Sequence, residues 1–252
     1  MDENIKKRFL ELAKRSYMTG TYTFTDFLGM SEQSDFWQIE KEVSYAGYHI
    51  YGGYDDAERV MIRFGKSSEF GYETDFPIVC IHITPLMKKF SDDLTHRDFL
   101  GALMNLGIER STLGDIKVKE NEAFIFCSDS LSQYISDNLT RIKHTSVNTV
   151  MTDNKSEIEK FLGVEELLSK QITVSSLRVD GIVSKVYNLS RNDSLILFRS
   201  QKIFVNGRLM EDNGRQVKNG DVISVRGYGK FKLTGEPSCT RKGRLSVNVQ
   251  VW

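Results

Sequence analysis

Basic side chains recur through the last third of the sequence at positions suited to holding an anion. Arg178 and Lys185 fall on one predicted helix. Arg191 opens a second, where backbone N–H groups and the helix dipole already favour a phosphate. Arg199 and Lys202 mark the far end of that helix. Arg208 follows the Asn206-Gly207 pair, a strong hairpin-turn signal, and Arg226 closes a β-rich run. Lys230 and Lys232 share one face of a strand whose other face carries Phe231 and Leu233. Guanidinium and ammonium groups spread over helices and strands in this way serve to grip phosphates. Folded RNA, which is recognised by shape, phosphate and 2′-OH contacts, suits such a surface, and a single cradle of positive charge is the expectation.

The charge distribution agrees. The formal net charge of the 252 residues is zero, yet residues 171–252 hold 14 Lys/Arg against 6 Asp/Glu while residues 1–170 hold 20 against 28. A basic block on an acidic body reads as an anion-binding module; a chance excess on a solvated surface is the plain alternative. Hydrophobic residues make up 40% and charged residues 27%, enough to bury a core without metal or disulfide staples. No uncharged run approaches the roughly 20 residues that span a bilayer, and the charged start MDENIKKRF has no signal-type apolar stretch. Cys80, Cys127 and Cys239 are too far apart for a disulfide framework or a zinc knuckle. A cytoplasmic protein is expected, with no membrane, cofactor, metal or small-molecule substrate. The Asn-x-Ser/Thr matches at Asn138, Asn188 and Asn192 then carry no glycosylation meaning.

The elements that must position these residues can be read from periodicity. Residues 1–75 form a small α+β unit: a helix over 3–17, a second capped by Ser31 and running to 43 with Glu32 in its first turn, then strands at 48–51 and 60–64. Residues 76–155 read β-α-β-β-α-β, the ferredoxin-like order: a strand at 78–83 between Pro77 and Pro85, a helix opened by a Thr95/Asp98 capping box and stopped at Gly107, strands at 116–118 and 123–127, a helix over 130–141 and a strand at 147–151. RNA-recognition domains share that order with many unrelated proteins. Residues 152–156 are a polar joint, and a helix over 157–170 leads into the third part, 156–252. There a helix over 177–187, the turn Asn188-Leu189-Ser190 and a helix capped by Ser190 and Asp193 precede strands at 202–205, 208–210, 222–226 and 230–233. Leu245, Val247, Val249 and Val251 alternate as a half-buried strand paired with the last of these. The class is α+β throughout.

Several motifs carry less. His96-Arg97-Asp98 has the letters of a kinase catalytic loop, but Leu103 stands where magnesium-binding Asn is needed and no glycine-rich phosphate loop precedes it. Asp98 as a helix cap is the structural reading; Arg97 and Arg110 as secondary contacts to RNA or a partner are the functional one. Gly227-x-Gly229 lacks the third glycine and strand–helix context of a dinucleotide site. His49, His82, His96 and His144 show no metal-ligand spacing, and His82 on an apolar strand reads as a satisfied core residue. Tyr45, Tyr48, Tyr51 and Tyr54 suit packing, with RNA stacking as the alternative. Phe124 and Phe126 share a strand face, but the Lys/Arg-Gly-aromatic run of base-stacking domains is missing, so that face is expected to pack or bind protein.

Four runs, Leu177-Arg178-Val179-Asp180, Leu189-Ser190-Arg191, Lys202-Ile203-Phe204-Val205-Asn206-Gly207 and Gly220-Asp221-Val222-Ile223-Ser224-Val225-Arg226-Gly227, resemble the alpha-L RNA-binding domain, named after bacterial ribosomal small-subunit protein four. That family usually has Gly after the second helix where this chain has Gln201; a left-handed residue there costs a side chain about 1–2 kcal/mol, so the helix exit and the aim of Lys202 are expected to depart from the pattern. Gly52-Gly53-Tyr54-Asp55-Asp56-Ala57-Glu58-Arg59, the run from His96 to Arg110, and Gly114-Asp115-Ile116 resemble the bacterial YlmH-type family over nearly the full length. The resemblance implies a non-enzymatic, ribosome-associated protein that binds ribosomal RNA, with tRNA as a further partner, on large subunits left holding a peptidyl-tRNA in translation quality control. Two rivals stand beside it. An RNA-modifying enzyme anchored by the same domain would need either a catalytic Asp in an Arg-Leu-Asp-type motif, where Arg178-Val179-Asp180 lies inside the binding domain and His96-Arg97-Asp98 lacks the rest, or a glycine-rich cofactor loop, which the sequence lacks. A protein-binding scaffold would carry the basic charge incidentally.

Overall fold

The computed structural model describes residues 3–55, 57–162, 168–241 and 243–251; Asp56 and residues 163–167, parts of runs read above, lie outside them. The chain divides into two compact units between Leu162 and Gly163, and the α+β class holds in both.

The first unit begins with α1 (Glu3–Thr19), β1 (Thr23–Phe24), α2 (Met30–Val43), β2 (Tyr48–Tyr51), β3 (Met61–Phe64) and a short α3 (Ser67–Phe70). The strands pair in the order β1-β3-β2. Phe9, Leu12 and Ala13 of α1 and Phe36, Ile39 and Val43 of α2 close over Ile62 and Phe64, as helical and strand periodicity require. Ser31 is not the cap of α2. The helix starts at Met30, Gly29 is its extended N-cap, and the Glu32 carboxylate reaches back to accept from Gly29 N–H at 2.6 Å.

The unit continues through β4 (Ile78–Pro85), α4 (His96–Asn105), β5 (Leu113–Lys119), β6 (Glu122–Ser128), α5 (Asp129–Asn138), β7 (Arg141–Ile142), β8 (Thr145–Thr152) and α6 (Lys155–Leu162). The sheet runs β5-β6-β4-β8-β7, every pair antiparallel. Without β7 this is the ferredoxin-like arrangement. The helix expected over 130–141 ends at Asn138 because Thr140 turns the chain into a hairpin, its carbonyl accepting from Val147 N–H at 3.0 Å. Phe99 and Leu103 of α4 and Ile135 of α5 cover one sheet face over Ile81, Ile83, Ile116 and Ile125.

The other face is also closed. Phe124 and Phe126 are fully buried among Phe27, Met61, Tyr54 and, from α6, Ile158 and Phe161. His82 stacks on Phe124 with ring centres 4.3 Å apart, and Phe161 approaches Phe124 at 4.4 Å. The expectation of packing on this face is met by the chain itself. Asp115 ties the loop before β3 to the sheet: its buried carboxylate accepts from Tyr54 Oη at 2.5 Å, Glu58 N–H at 2.8 Å and Arg59 N–H at 3.1 Å. Gly114 beside it must lack a side chain, since a Cβ would come within 2.7 Å of Phe27.

The second unit contains β9 (Leu168–Val174), α7 (Val179–Val186), α8 (Arg191–Arg199), β10 (Ile203–Val205), β11 (Arg208–Leu209), β12 (Val222–Val225), β13 (Gly229–Cys239) and β14 (Leu245–Val251), in sheet order β11-β10-β12-β13-β14-β9. Val179, Ile182 and Val183 of α7 and Leu197 and Phe198 of α8 pack on Ile203, Ile223, Phe231, Val247 and Val249. Of the helix expected over 157–170, the described part to Leu162 packs in the first unit, while Leu168 to Lys170 are not helical but lie in β9 opposite Val251 to Val249. Gln201 takes the left-handed conformation, φ 52°, so the helix exit keeps the turn despite lacking glycine, contrary to the expected departure.

Two outcomes are expected on unfolding. In a Trp252→Phe background, which leaves Trp37 as the fluorescent tryptophan, Asp115→Ala should lower the urea-unfolding stability of the first unit by about 3 kcal/mol, because three donors lose a buried charged acceptor; no change in midpoint would refute the tie. Gln201→Gly should stabilise the second unit by about 0.5–1 kcal/mol, the relieved left-handed strain exceeding the entropy glycine adds to the unfolded chain; a lower melting temperature would show that the turn is unstrained.

Candidate nucleic-acid interface

Arg178, Lys185, Arg191 and Arg244 line a groove of about 780 Å³ formed by α7, the start of α8 and the end of β9. Asp180 is the one carboxylate among its lining residues. Lys185 and Arg191 are exposed and make no hydrogen bond or ion pair among the described residues. Arg178 differs. It stands at the N-cap of α7 in extended backbone, not along the helix with Lys185 as expected, because Val179 N–H donates to Arg215 O at 2.9 Å and holds the segment against a loop. Its guanidinium grips Asp180 twice, Nε to Oδ1 at 3.1 Å and Nη2 to Oδ2 at 2.7 Å. This fork lifts Arg178 above its ordinary pKa and, as the largest cause, holds the Asp180 carboxyl below its own. Asp180 also accepts from Gly181 N–H at 2.7 Å, so Arg178 is fixed in orientation and partly neutralised.

The N-terminus of α8 is not the open anion site expected behind Arg191. Ser190 Oγ accepts from Asp193 N–H at 3.1 Å, and Asp193 Oδ2 accepts from Ser190 Oγ–H at 2.6 Å. The capping box thus satisfies the helix end and places a carboxylate there. What Arg191 offers is its side chain.

The other predicted cations do not join this groove. Arg199 and Lys202 are exposed at the opposite end of α8, a nine-residue helix and so roughly 13 Å from Arg191 along its axis. Arg226 N–H donates to Lys202 O at 2.9 Å, and the Arg226 guanidinium lies 5.0 Å from the centre of the Phe204 ring. Phe204 faces Ser224, and Ser224 faces Lys230, with Lys232 on the same side opposite Gln250. Phe231 and Leu233 point the other way, into the core beneath α7 and α8. Lys230 and Lys232 therefore emerge on the sheet face away from the helices. Arg208 is exposed on β11, the edge strand of the sheet. The expected single cradle is broken up, because strand alternation sends the lysines through the sheet and α8 carries Arg199 to the far end from the groove. Arg244 was missed in the sequence: only the pairing of β14 with β9 carries it to the groove.

In the first unit, Arg97 is exposed at the start of α4, while Arg110 is turned inward. Its Nη1 donates to Leu113 O and Gly114 O, both at 2.9 Å, and burial, helped by the Arg59 charge, pushes its pKa down to about 10. Arg110 is a structural tie, which corrects its reading as a secondary contact. Asp98 acts as the cap expected, accepting from Thr95 N–H at 2.8 Å. His82 is satisfied, with Nε2 3.1 Å from Glu122 Oε2. No cluster of potential metal ligands occurs among the described residues, and none of their helices is long and apolar enough to cross a membrane.

A family model described as "Putative RNA-binding domain in YlmH" matches residues 72–156. The solved "Cell division protein ylmH from Streptococcus pneumoniae" aligns at a TM-score of 0.49 and 22% identity, covering 63% of this chain and 94% of that one. The "Ribosome-associated protein quality control protein P2" of Bacillus subtilis (strain 168) is 30% identical over 226 residues, 90% of this chain and 86% of that protein. Identity at that level, sustained over nearly all of both chains, establishes that this chain belongs to the YlmH family.

Proposed function

We propose that the protein is a ribosome-associated RNA-binding factor whose second unit grips ribosomal RNA through the groove lined by Arg178, Lys185, Arg191 and Arg244. The observation that carries this reading is the pair of exposed cations, Lys185 and Arg191, whose side chains make no hydrogen bond or ion pair among the described residues, in a groove holding one carboxylate, itself engaged by Arg178. Arg199, Lys202, Arg208, Arg226, Lys230 and Lys232, elsewhere on the same unit, engage further backbone as the RNA wraps it. The large ribosomal subunit retaining a peptidyl-tRNA is the target, and translation quality control the setting; the name of the Bacillus subtilis relative supports the ribosome association and the quality-control setting. The parts spanning residues 1–75 and 76–155 position the factor or recruit a partner, in keeping with their acidic excess.

A binding role is favoured over catalysis by the state of Asp180. An aspartate serving as nucleophile or base needs a free oxygen facing substrate, whereas both oxygens here accept from Arg178 and one also from Gly181 N–H.

Lys185→Glu combined with Arg191→Glu should abolish co-sedimentation with purified bacterial large ribosomal subunits while leaving the circular-dichroism spectrum and melting temperature intact. In wild type, log affinity should fall with log salt by about 0.7–0.9 per phosphate contacted, and Lys185→Gln with Arg191→Gln should reduce that slope by about 1.4–1.8. Unchanged sedimentation of the folded charge-reversal variant would remove the groove from the interface.

A further inference from the structure

In ferredoxin-like RNA-recognition domains the sheet offers aromatic rings to unstacked bases, but here that face is filled by the chain's own side chains. Any RNA contact made by the first unit has to come from elsewhere on its surface. A pocket of about 510 Å³ opens between α4 and the β7–β8 hairpin. Its lining includes Arg97, Asp98, Asn138, Arg141 and Lys143, and no aromatic ring. Such a pocket has nothing on which to stack a base and is suited to backbone phosphate.

Its charge is strongly biased. Asp98 is the one carboxylate in the lining, and its Oδ2 is engaged by Thr95 N–H at 2.8 Å, Thr95 Oγ1 at 2.7 Å and Lys143 Nζ at 2.8 Å. Lys143 and Asp98 cancel one another. Arg97 and Arg141 remain, both exposed and both without a hydrogen bond or ion pair among the described residues. They stand out in a unit whose overall charge is negative.

The frame that carries them is fixed. Lys143 holds a left-handed backbone, φ 51°, at the hairpin tip. Asp92 pins that tip by accepting from His144 N–H at 2.9 Å and Thr145 Oγ1 at 3.0 Å. Ile142 is buried beneath α4 and α5. Arg141 therefore projects from an anchored arm, and the α4 backbone that carries Arg97 is held by its own capping box.

We propose that this pocket is a second RNA site, in which Arg97 and Arg141 hold two neighbouring backbone phosphates, one each. The inference rests on the reading of the protein as an RNA-binding factor and assigns the first unit a contact of its own. The test uses the full chain and purified bacterial large ribosomal subunits, with affinity measured across a potassium chloride series. Arg97→Gln with Arg141→Gln should weaken binding about 5–30-fold at moderate salt and lower the salt slope by about 1.4–1.8, with an unchanged melting temperature. Arg97→Lys with Arg141→Lys should retain most of the slope. If the glutamine pair leaves affinity and slope at wild-type values while the Lys185/Arg191 variants lose binding, the pocket is overturned and the groove stands. If both sets bind like wild type, both readings fall. Should the glutamine pair melt early, Arg141→Gln alone decides, with an expected slope change of about 0.7–0.9 and no change as the refuting result.

Discussion

Burial of the aromatic face of the middle sheet constrains everything else the first unit can do. Phe124 and Phe126 on β6, with His82 beside them on β4, meet Tyr54 and Phe27 from the N-terminal part and Phe161 from α6. Each buried ring contributes about 2–3 kcal/mol, and close aromatic pairs add about 0.5–1.5 kcal/mol each. Opening the face to stack a base would forfeit several such contacts together. The same packing joins residues on either side of Pro77 into one body, which Asp115 locks through three donors from the loop 54–59. Arg59 and Arg110 complete the joint with their guanidinium groups spent on main-chain carbonyls. Cations that look available in the sequence are consumed in holding the unit together, and the ones left free are those on its periphery.

In the second unit, one sheet with helices on a single face sorts the basic residues. Lys185 of α7, Arg178 and Arg191 at the starts of α7 and α8, and Arg244 before β14 gather at the groove; those on β13 pass to the opposite face. The groove is built with restraint. Asp180 orients Arg178 at the expense of part of its charge, and Asp193 closes the α8 terminus that would otherwise attract an anion by itself. A fixed guanidinium loses less freedom when a phosphate arrives, and a closed helix end leaves recognition to side chains that a fold can aim.

Opposite charge on the two halves of a chain with no net charge has a physical consequence. The basic unit draws a polyanion over a distance set by ionic strength, about 8–10 Å under physiological conditions. The acidic excess of the remainder repels the same polyanion except where local cations outnumber carboxylates, as at Arg97 and Arg141.

Much of this was legible in the residues. Alternation at Leu245 to Val251, the capping boxes at Thr95 and Ser190, and the Asn206-Gly207 turn are local signals, because they depend on neighbours three or four positions away; each element stands where they put it. The family could be read from runs of residues for the same reason. Helix ends were less secure: α2 begins one residue before Ser31 with Gly29 as its cap, and the helical pattern that reached Arg141 ends before β7, where Thr140 turns. What the chain order could not reveal was adjacency across the fold. Arg244 reaches the groove through the β14–β9 pairing, Arg110 turns inward because Leu113 and Gly114 present carbonyls to it, and Lys230 and Lys232 leave the cradle because the helices take the other face. Residue type and local spacing determine which side chains can hold a phosphate; long-range pairing and packing decide which of them are left free to do so, since an ion pair or a buried carbonyl claims a charge as completely as a ligand would.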